Sequence, residues 1–170
     1  MNGHPGGIEH TRRLLELAAL PVGASVLDMG AGAGETLELL RSLGFAAEGI
    51  DLAPRSAEVG KGDFLCAPFP DGCFDAVISQ CAFFVSGDQR AALREANRLL
   101  KSGGRLLLSD VFFEAPEPPL RSAGFSILRA EDVTPQWREY YLEALWREEP
   151  DCCALPKGKC GYWLLIAERR

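Results

Sequence analysis

Between Ile8 and Leu20 the apolar residues Leu14, Leu15, Leu17 and Ala18 fall on one side of a 3.6-residue repeat, and Pro21 ends the pattern. This predicts a helix. Ser25-Val26-Leu27-Asp28 then reads as a short buried strand running into Gly30-Ala31-Gly32-Ala33-Gly34. Glu35 to Leu43 returns to helical spacing, with Leu37, Leu39, Leu40 and Leu43 apolar and Gly44 as the stop. Strands follow at Ala46 to Asp51 and Phe74 to Ser79, then a helix from Asp88 to Leu100 with Leu93, Ala96, Leu99 and Leu100 on one face. Ser102-Gly103-Gly104 reads as a turn before a strand from Arg105 to Val111. The prolines at 116, 118 and 119 read as a break, and strands at Phe125 to Arg129 and Tyr162 to Glu168 enclose a helix from about Gln136 to Glu148. Within it, Trp137, Tyr141 and Leu145 share a face, which reads as core. The alternation predicts an α/β, doubly wound, mostly parallel sheet, with a ligand site beyond the strand C-termini.

The 170 residues suffice for one domain with a core that needs neither metal nor disulfide. The expected division is a cap helix in residues 1–20, a cofactor-binding core in 21–130, and a C-terminal helix and last strand in 131–170. The longest apolar run, Tyr162 to Ala167, is far too short to span a bilayer, and no apolar leader stands at the N-terminus. A cytoplasmic location is therefore expected, with the six cysteines reduced. A net charge of −6 disfavours a polyanionic partner. The expected partner is a small molecule, with no nucleic acid and no membrane, and the oligomeric state is left open.

The glycine turn carries most of the chemistry. Residues without Cβ let the chain bend sharply and let a ligand lie against bare backbone. A dinucleotide turn would need a third glycine where Glu35 stands, and Glu35 sets a negative charge where a phosphate would want the helix's positive end. An adenosyl ligand without phosphate removes the conflict. Asp28 suits a cationic ligand end, and Asp51, closing the second strand, suits the two hydroxyls of a ribose.

Asp28-x-Gly30-x-Gly32-x-Gly34, with Gly49-Ile50-Asp51-Leu52 and Gly62-Asp63-Phe64, resembles the class I S-adenosylmethionine-dependent methyltransferases. Pro68-Phe69-Pro70-Asp71-Gly72-Cys73-Phe74-Asp75 and the run from Leu93 to Gly104 extend the likeness, which covers roughly residues 8 to 130. It is most similar to the type 11 branch that includes quinone-biosynthesis and arsenite methyltransferases. The resemblance implies a Rossmann-like sheet with an antiparallel last strand, and S-adenosylmethionine as cofactor. Gly30, Ala31 and Gly32 would face its methionine part, with Asp28 supporting the turn. Asp51 would hold the ribose and Leu52 would pack on the adenine. Asp63 would accept from the adenine amino group beside Phe64, which core filling explains equally well. Ser79 and Gln80 would line the sulfonium and acceptor side.

The 22 residues 52–73 are too few for the two helices and a strand that the family usually fits there. One or both helices should be lost or reduced to a turn, leaving the fold trimmed after its second strand.

The expected activity is in-line methyl transfer to a small-molecule acceptor, a reaction that needs positioning more than it needs an enzyme nucleophile. His10 is a candidate base, although a solvated histidine at a helix start is the simpler reading. Cys81 is a candidate on the acceptor side, where the arsenite branch carries a metalloid-binding cysteine. Cys152, Cys153 and Cys160 cluster without a C-x-x-C or histidine pattern, so no standard metal site is expected, and these three stand only as candidate ligands for a soft metal or metalloid. Two alternatives stay open: a non-catalytic adenosyl- or partner-binding module, and a thiol-based metalloid methyltransferase or metal handler.

Overall fold

Alternate side chains of the central strands point into two different cores. The computed structural model describes residues 4–146 and 158–170. Its elements are α1 (Gly7–Ala18), β1 (Ser25–Met29), α2 (Glu35–Ser42), β2 (Ala46–Asp51), β3 (Gly60–Lys61), β4 (Phe74–Gln80) and α3 (Gln89–Leu99). They continue with β5 (Leu100–Phe112), α4 (Glu117–Ser122), β6 (Phe125–Asp132), α5 (Thr134–Trp146) and β7 (Gly161–Arg169). Val26, Ala76, Ile78 and Leu107 pack with Leu14 and Leu15 of α1, Leu37 and Leu40 of α2 and Trp137 of α5. Leu27, Val77, Leu106 and Leu108 pack with Leu93, Ala96 and Leu99 of α3 and Leu120 of α4. A strand's period of two thus feeds a helical layer on each face.

The sheet order is β3-β2-β1-β4-β5-β7-β6. β1, β2, β3, β4 and β5 pair in parallel, whereas β7 lies antiparallel between β5 and β6. The doubly wound, mostly parallel sheet with an antiparallel last strand is as the sequence predicts. The chain winds outward from β1 to β3 and then returns to place β4 on the other side of β1. The loops leaving β1 and β4 therefore diverge, and they open a crevice at the strand C-termini.

The trimmed segment is real. Between β2 and β4 the described chain forms only the two-residue β3 and a 3₁₀ turn at Phe64–Cys66. Polar side chains of α3 hold this stretch in place of a helix. Arg98 donates to the carbonyls of Ala67 (3.0 Å) and Phe69 (2.9 Å) and to Asp71 (2.6 Å). Glu95, which pairs with Arg98 at 2.6 Å, accepts from the Ala67 amide at 2.9 Å.

Two local expectations need correcting. Pro116, Pro118 and Pro119 do not leave an open loop, because they start α4: Pro116 is its N-cap, and prolines occupy its first turn. First-turn amides have no partner within the helix, so proline's missing N–H costs nothing there. The turn at Ser102-Gly103-Gly104 is absorbed into β5 as an irregularity. Phe74 pairs with Leu100 but Ala76 with Arg105, and Gly103 takes φ +74°.

Candidate cofactor site

A cavity of about 620 Å³ occupies the crevice, within the roughly 300–1,000 Å³ range of small-molecule sites. Its floor is the turn after β1. Gly30 and Ala31 both donate to the Ile50 carbonyl, at 2.9 and 3.1 Å, which ties the bend to the end of β2. Gly30 has φ +90°, and a Cβ there would lie 2.4 Å from the Ala82 Cβ. With any side chain at position 30 the turn could not lie this close to Ala82.

Asp51 stands at the end of β2 with both oxygens on main chain. It accepts from Gly32 N at 2.9 Å and from Ala53 N at 2.8 Å, so it fixes the glycine turn from outside while facing the cavity. A carboxylate offers about four lone-pair directions, which leaves capacity for a ligand's hydroxyls. Asp28, only 3% exposed, lies across the turn. Burial, and secondarily the charge of Asp51, push its pKa up to about 7. Asp63 caps the 3₁₀ turn by accepting from Leu65 N at 2.8 Å, and it too lines the cavity. Phe64 is buried against Phe83, with ring centres 5.7 Å apart, and also contributes to the wall. Leu52 is 62% exposed at the cavity edge.

Gln80 and Cys81 form the far wall. The Gln80 amide donates to the hydroxyls of Thr11 and Thr36, each at 3.1 Å, and so links β4 to α1 and α2. Cys81 is buried with φ +58°, a conformation rare outside glycine, and its amide donates to the Ser109 carbonyl at 2.7 Å.

The cavity therefore brings together Asp28, Gly30, Ala31, Gly32, Asp51, Leu52, Asp63, Phe64 and Gln80. Ser79 is not in the wall. Strand alternation turns it the other way, fully buried, with its hydroxyl donating to the Met29 carbonyl at 2.7 Å. It braces the strand end below the glycine turn and does not face the cavity. The histidine expectation also changes. His4 lines the cavity and His10 does not. His4 Nε2 lies 3.2 Å from the Thr11 hydroxyl, and burial pushes its pKa down to about 4. Burial lowers the His10 pKa as well.

Of the cysteine cluster, Cys152 and Cys153 lie outside the described residues, and Cys160 is a half-buried free thiol. Among the described residues no three potential metal ligands converge.

Sequence reasoning missed Arg55, Val85 and Ser86, all of which line the cavity. Each sits in an irregular segment with no periodicity, so only its short distance from Asp51 or Cys81 in sequence hinted at its place.

Residues 27–108 match a family profile described as a methyltransferase domain. A demethylmenaquinone methyltransferase from Thermus thermophilus is 36% identical over 129 residues, covering 66% of this chain and 57% of that protein. An arsenite methyltransferase from Aquipseudomonas alcaligenes is 32% identical over 119 residues, covering 55% of this chain and 34% of that protein. The chain spans about half the length of the curated relatives it matches. Among solved structures, phosphoethanolamine N-methyltransferase 2 from Haemonchus contortus, in complex with S-adenosyl-L-methionine, superposes with a TM-score of 0.77 at 20% identity. That match covers 98% of this chain and 53% of the other. The [4+2]-cyclase SpnF superposes with a TM-score of 0.75 at 24% identity, covering 95% and 80%. At these identities the structural likeness speaks for the fold, and the sequence matches speak for kinship. Over the matched stretch the sequence comparisons support a class I S-adenosylmethionine-dependent methyltransferase of the type 11 group.

Proposed function

We propose that this cavity binds S-adenosylmethionine and that the chain transfers its methyl group to a small-molecule acceptor by in-line displacement. One observation carries the reading: a side-chain-free bend lies between two carboxylates, Asp28 and Asp51, in a cavity of about 620 Å³ at the strand C-termini. The wall chemistry fits that cofactor. Asp28, Glu35, Asp51 and Asp63 favour a ligand with cationic groups, and Glu35 at the start of α2 opposes a phosphate there.

When bound, the sulfonium supplies its own electrophilic methyl group and its own leaving group. The chain's work is to place both partners. Gly30 and Gly32 admit the methionine part against bare backbone, and Asp28 favours its positive end. Asp51 accepts from the ribose hydroxyls, Asp63 from the adenine amino group, and Leu52 covers the ring. Gln80 and Cys81 border the acceptor side, closed by His4 from the N-terminal segment. With a pKa near 4, His4 is too weak a base to take a proton efficiently at neutral pH, so the site favours acceptors that arrive already nucleophilic.

The acceptor classes to assay follow from the relatives' names and from the wall. A quinol precursor and arsenite are the first two, the second because Cys81 puts a thiol beside the expected methyl position. No helix among the described residues is long and apolar enough to cross a membrane. Cys66, Cys73, Cys81 and Cys160 are in no disulfide among the described residues, which supports placing the protein in a reducing compartment, the cytoplasm.

Isothermal titration with S-adenosylmethionine and S-adenosylhomocysteine is the direct test, and no heat at millimolar ligand overturns the reading. Turnover is then sought as an acceptor mass gain of one methylene. Asp51→Ala should weaken S-adenosylhomocysteine about tenfold or more, since it removes a charged hydrogen-bond acceptor and the brace on Gly32. An unchanged affinity in a folded variant would show that the ribose lies elsewhere.

A further inference from the structure

We infer that the cavity takes adenosyl ligands carrying bulky groups on the N6 amino nitrogen of the base, because the chain leaves that edge uncovered. This rests on the cofactor reading above and adds to it which modified cofactors the site accepts.

The cavity has a closed end and an open one. Around the turn after β1 and the tip of β4 its wall is made by Asp28, Ala31, Thr36, Gln80 and Cys81, all of them buried. Beside the ends of β2 and β3 it is made by Leu52 and Asp63, both exposed although they line it. A wall residue open to solvent marks a rim. The side chains that would hold the adenine at its face and its amino group are therefore rim residues. Phe64, buried against Phe83, is the inner wall behind them.

The rest of the helix-free segment is held away from that rim. Arg55 lies over the glycine turn, its Nη2 3.1 Å from the position a Gly32 Cβ would take. Val59 is buried where a Cβ on Gly34 would lie 3.3 Å from its methyl group. Beyond Leu65 the chain is drawn to α3, where Arg98 donates to the carbonyls of Ala67 and Phe69 and Glu95 accepts from the Ala67 amide. Among the described residues, none from 66 to 73 and none of α3 lines the cavity. Asp63 gives Oδ1 to the Leu65 amide at 2.8 Å, which leaves Oδ2 for the base. An adenine amino group carries two N–H bonds and needs one of them for that contact. The other position then lies at the rim, where a substituent meets water and no covering helix.

The test titrates wild-type protein and Asp63→Ala with S-adenosylhomocysteine and with its N6-benzyl and N6,N6-dimethyl analogues. On the wild type the benzyl analogue should bind within about threefold of the parent, since it keeps an N–H and its ring stays in water. The dimethyl analogue has no N–H left and should bind more weakly by about fivefold or more. In folded Asp63→Ala that deficit should disappear. A loss of about tenfold or more for the benzyl analogue would mean that the base edge is enclosed. A dimethyl analogue as tight as the parent, or a deficit that persists in Asp63→Ala, would mean that the amino group does not meet Asp63. Each of these results overturns the inference. The first two are read on the wild type, so they stand even if loss of the 3₁₀ cap unfolds the variant. Wild-type protein that binds none of the three ligands would instead overturn the proposed function, and this inference with it.

Discussion

Gly30→Ala is expected to destabilise the fold by about 2–5 kcal/mol and to abolish measurable binding of S-adenosylhomocysteine. Two separate penalties act at the one atom. At φ +90° an L-residue sits in left-handed backbone, at roughly 1–2 kcal/mol. The new methyl would also lie 2.4 Å from the Ala82 Cβ, and overpacking of that kind typically costs about 1–3 kcal/mol. The turn can relieve the clash only by moving away from Ala82. That motion pulls on the Ile50 carbonyl, to which Gly30 and Ala31 are bonded, and on the Gly32 amide held by Asp51. Gly23→Ala is the matched control. Gly23 has φ +81° with nothing within 4 Å of its missing Cβ, so it should show the backbone penalty alone and bind ligand normally. Urea midpoints and ligand titrations on the two variants separate the effects. Equal losses in both would refute the close-approach argument.

Asp28 should make stability and ligand affinity respond to pH in opposite directions. Its pKa is about 7 in the folded protein against an ordinary 3.8, raised first by burial and then by Asp51. Between about pH 4 and 7 the folded protein therefore holds a proton that the unfolded chain has released. The stability this gives is complete below pH 4 and is lost as pH rises through 7, a fall of order 4 kcal/mol. A cation bound beside Asp28 reverses the preference by favouring the carboxylate. Cofactor affinity should accordingly rise with pH between about 5 and 8, with proton release visible as buffer-dependent heat. Asp28→Asn should flatten both profiles, be more stable than wild type at pH 8 without ligand, and bind S-adenosylhomocysteine more weakly there. A wild-type melting profile unchanged by Asp28→Asn would remove Asp28 as the titrating group.

The sheet was legible because its strands are short apolar runs separated by helices of clear periodicity, and Ala46 to Asp51 matches β2 residue for residue. The missing helices after Asp51 were legible from chain length alone. Less visible was what stabilises a stretch without regular structure. Arg98 and Glu95 lie on a helix whose pattern announces only its buried face. Pro116 to Pro119 misled because proline breaks a helix interior but begins one equally well, and sequence does not say which position applies. Ser79 misled because a strand's last residues alternate sides. A shift of one position separates Gln80 in the cavity wall from Ser79 in the brace behind it. Arg55 left no signal, because a long exposed side chain in an aperiodic loop can reach anything within its length.

The missing helix also bears on traffic through the site. Leu52 is solvent-facing on the flank where the chain forms only β3 and a 3₁₀ turn. That flank leaves the cavity edge at Leu52 open to solvent. If the cavity holds the proposed adenosyl ligand, its adenine edge would face water on this flank, so exchange of the ligand should need no movement of a covering helix.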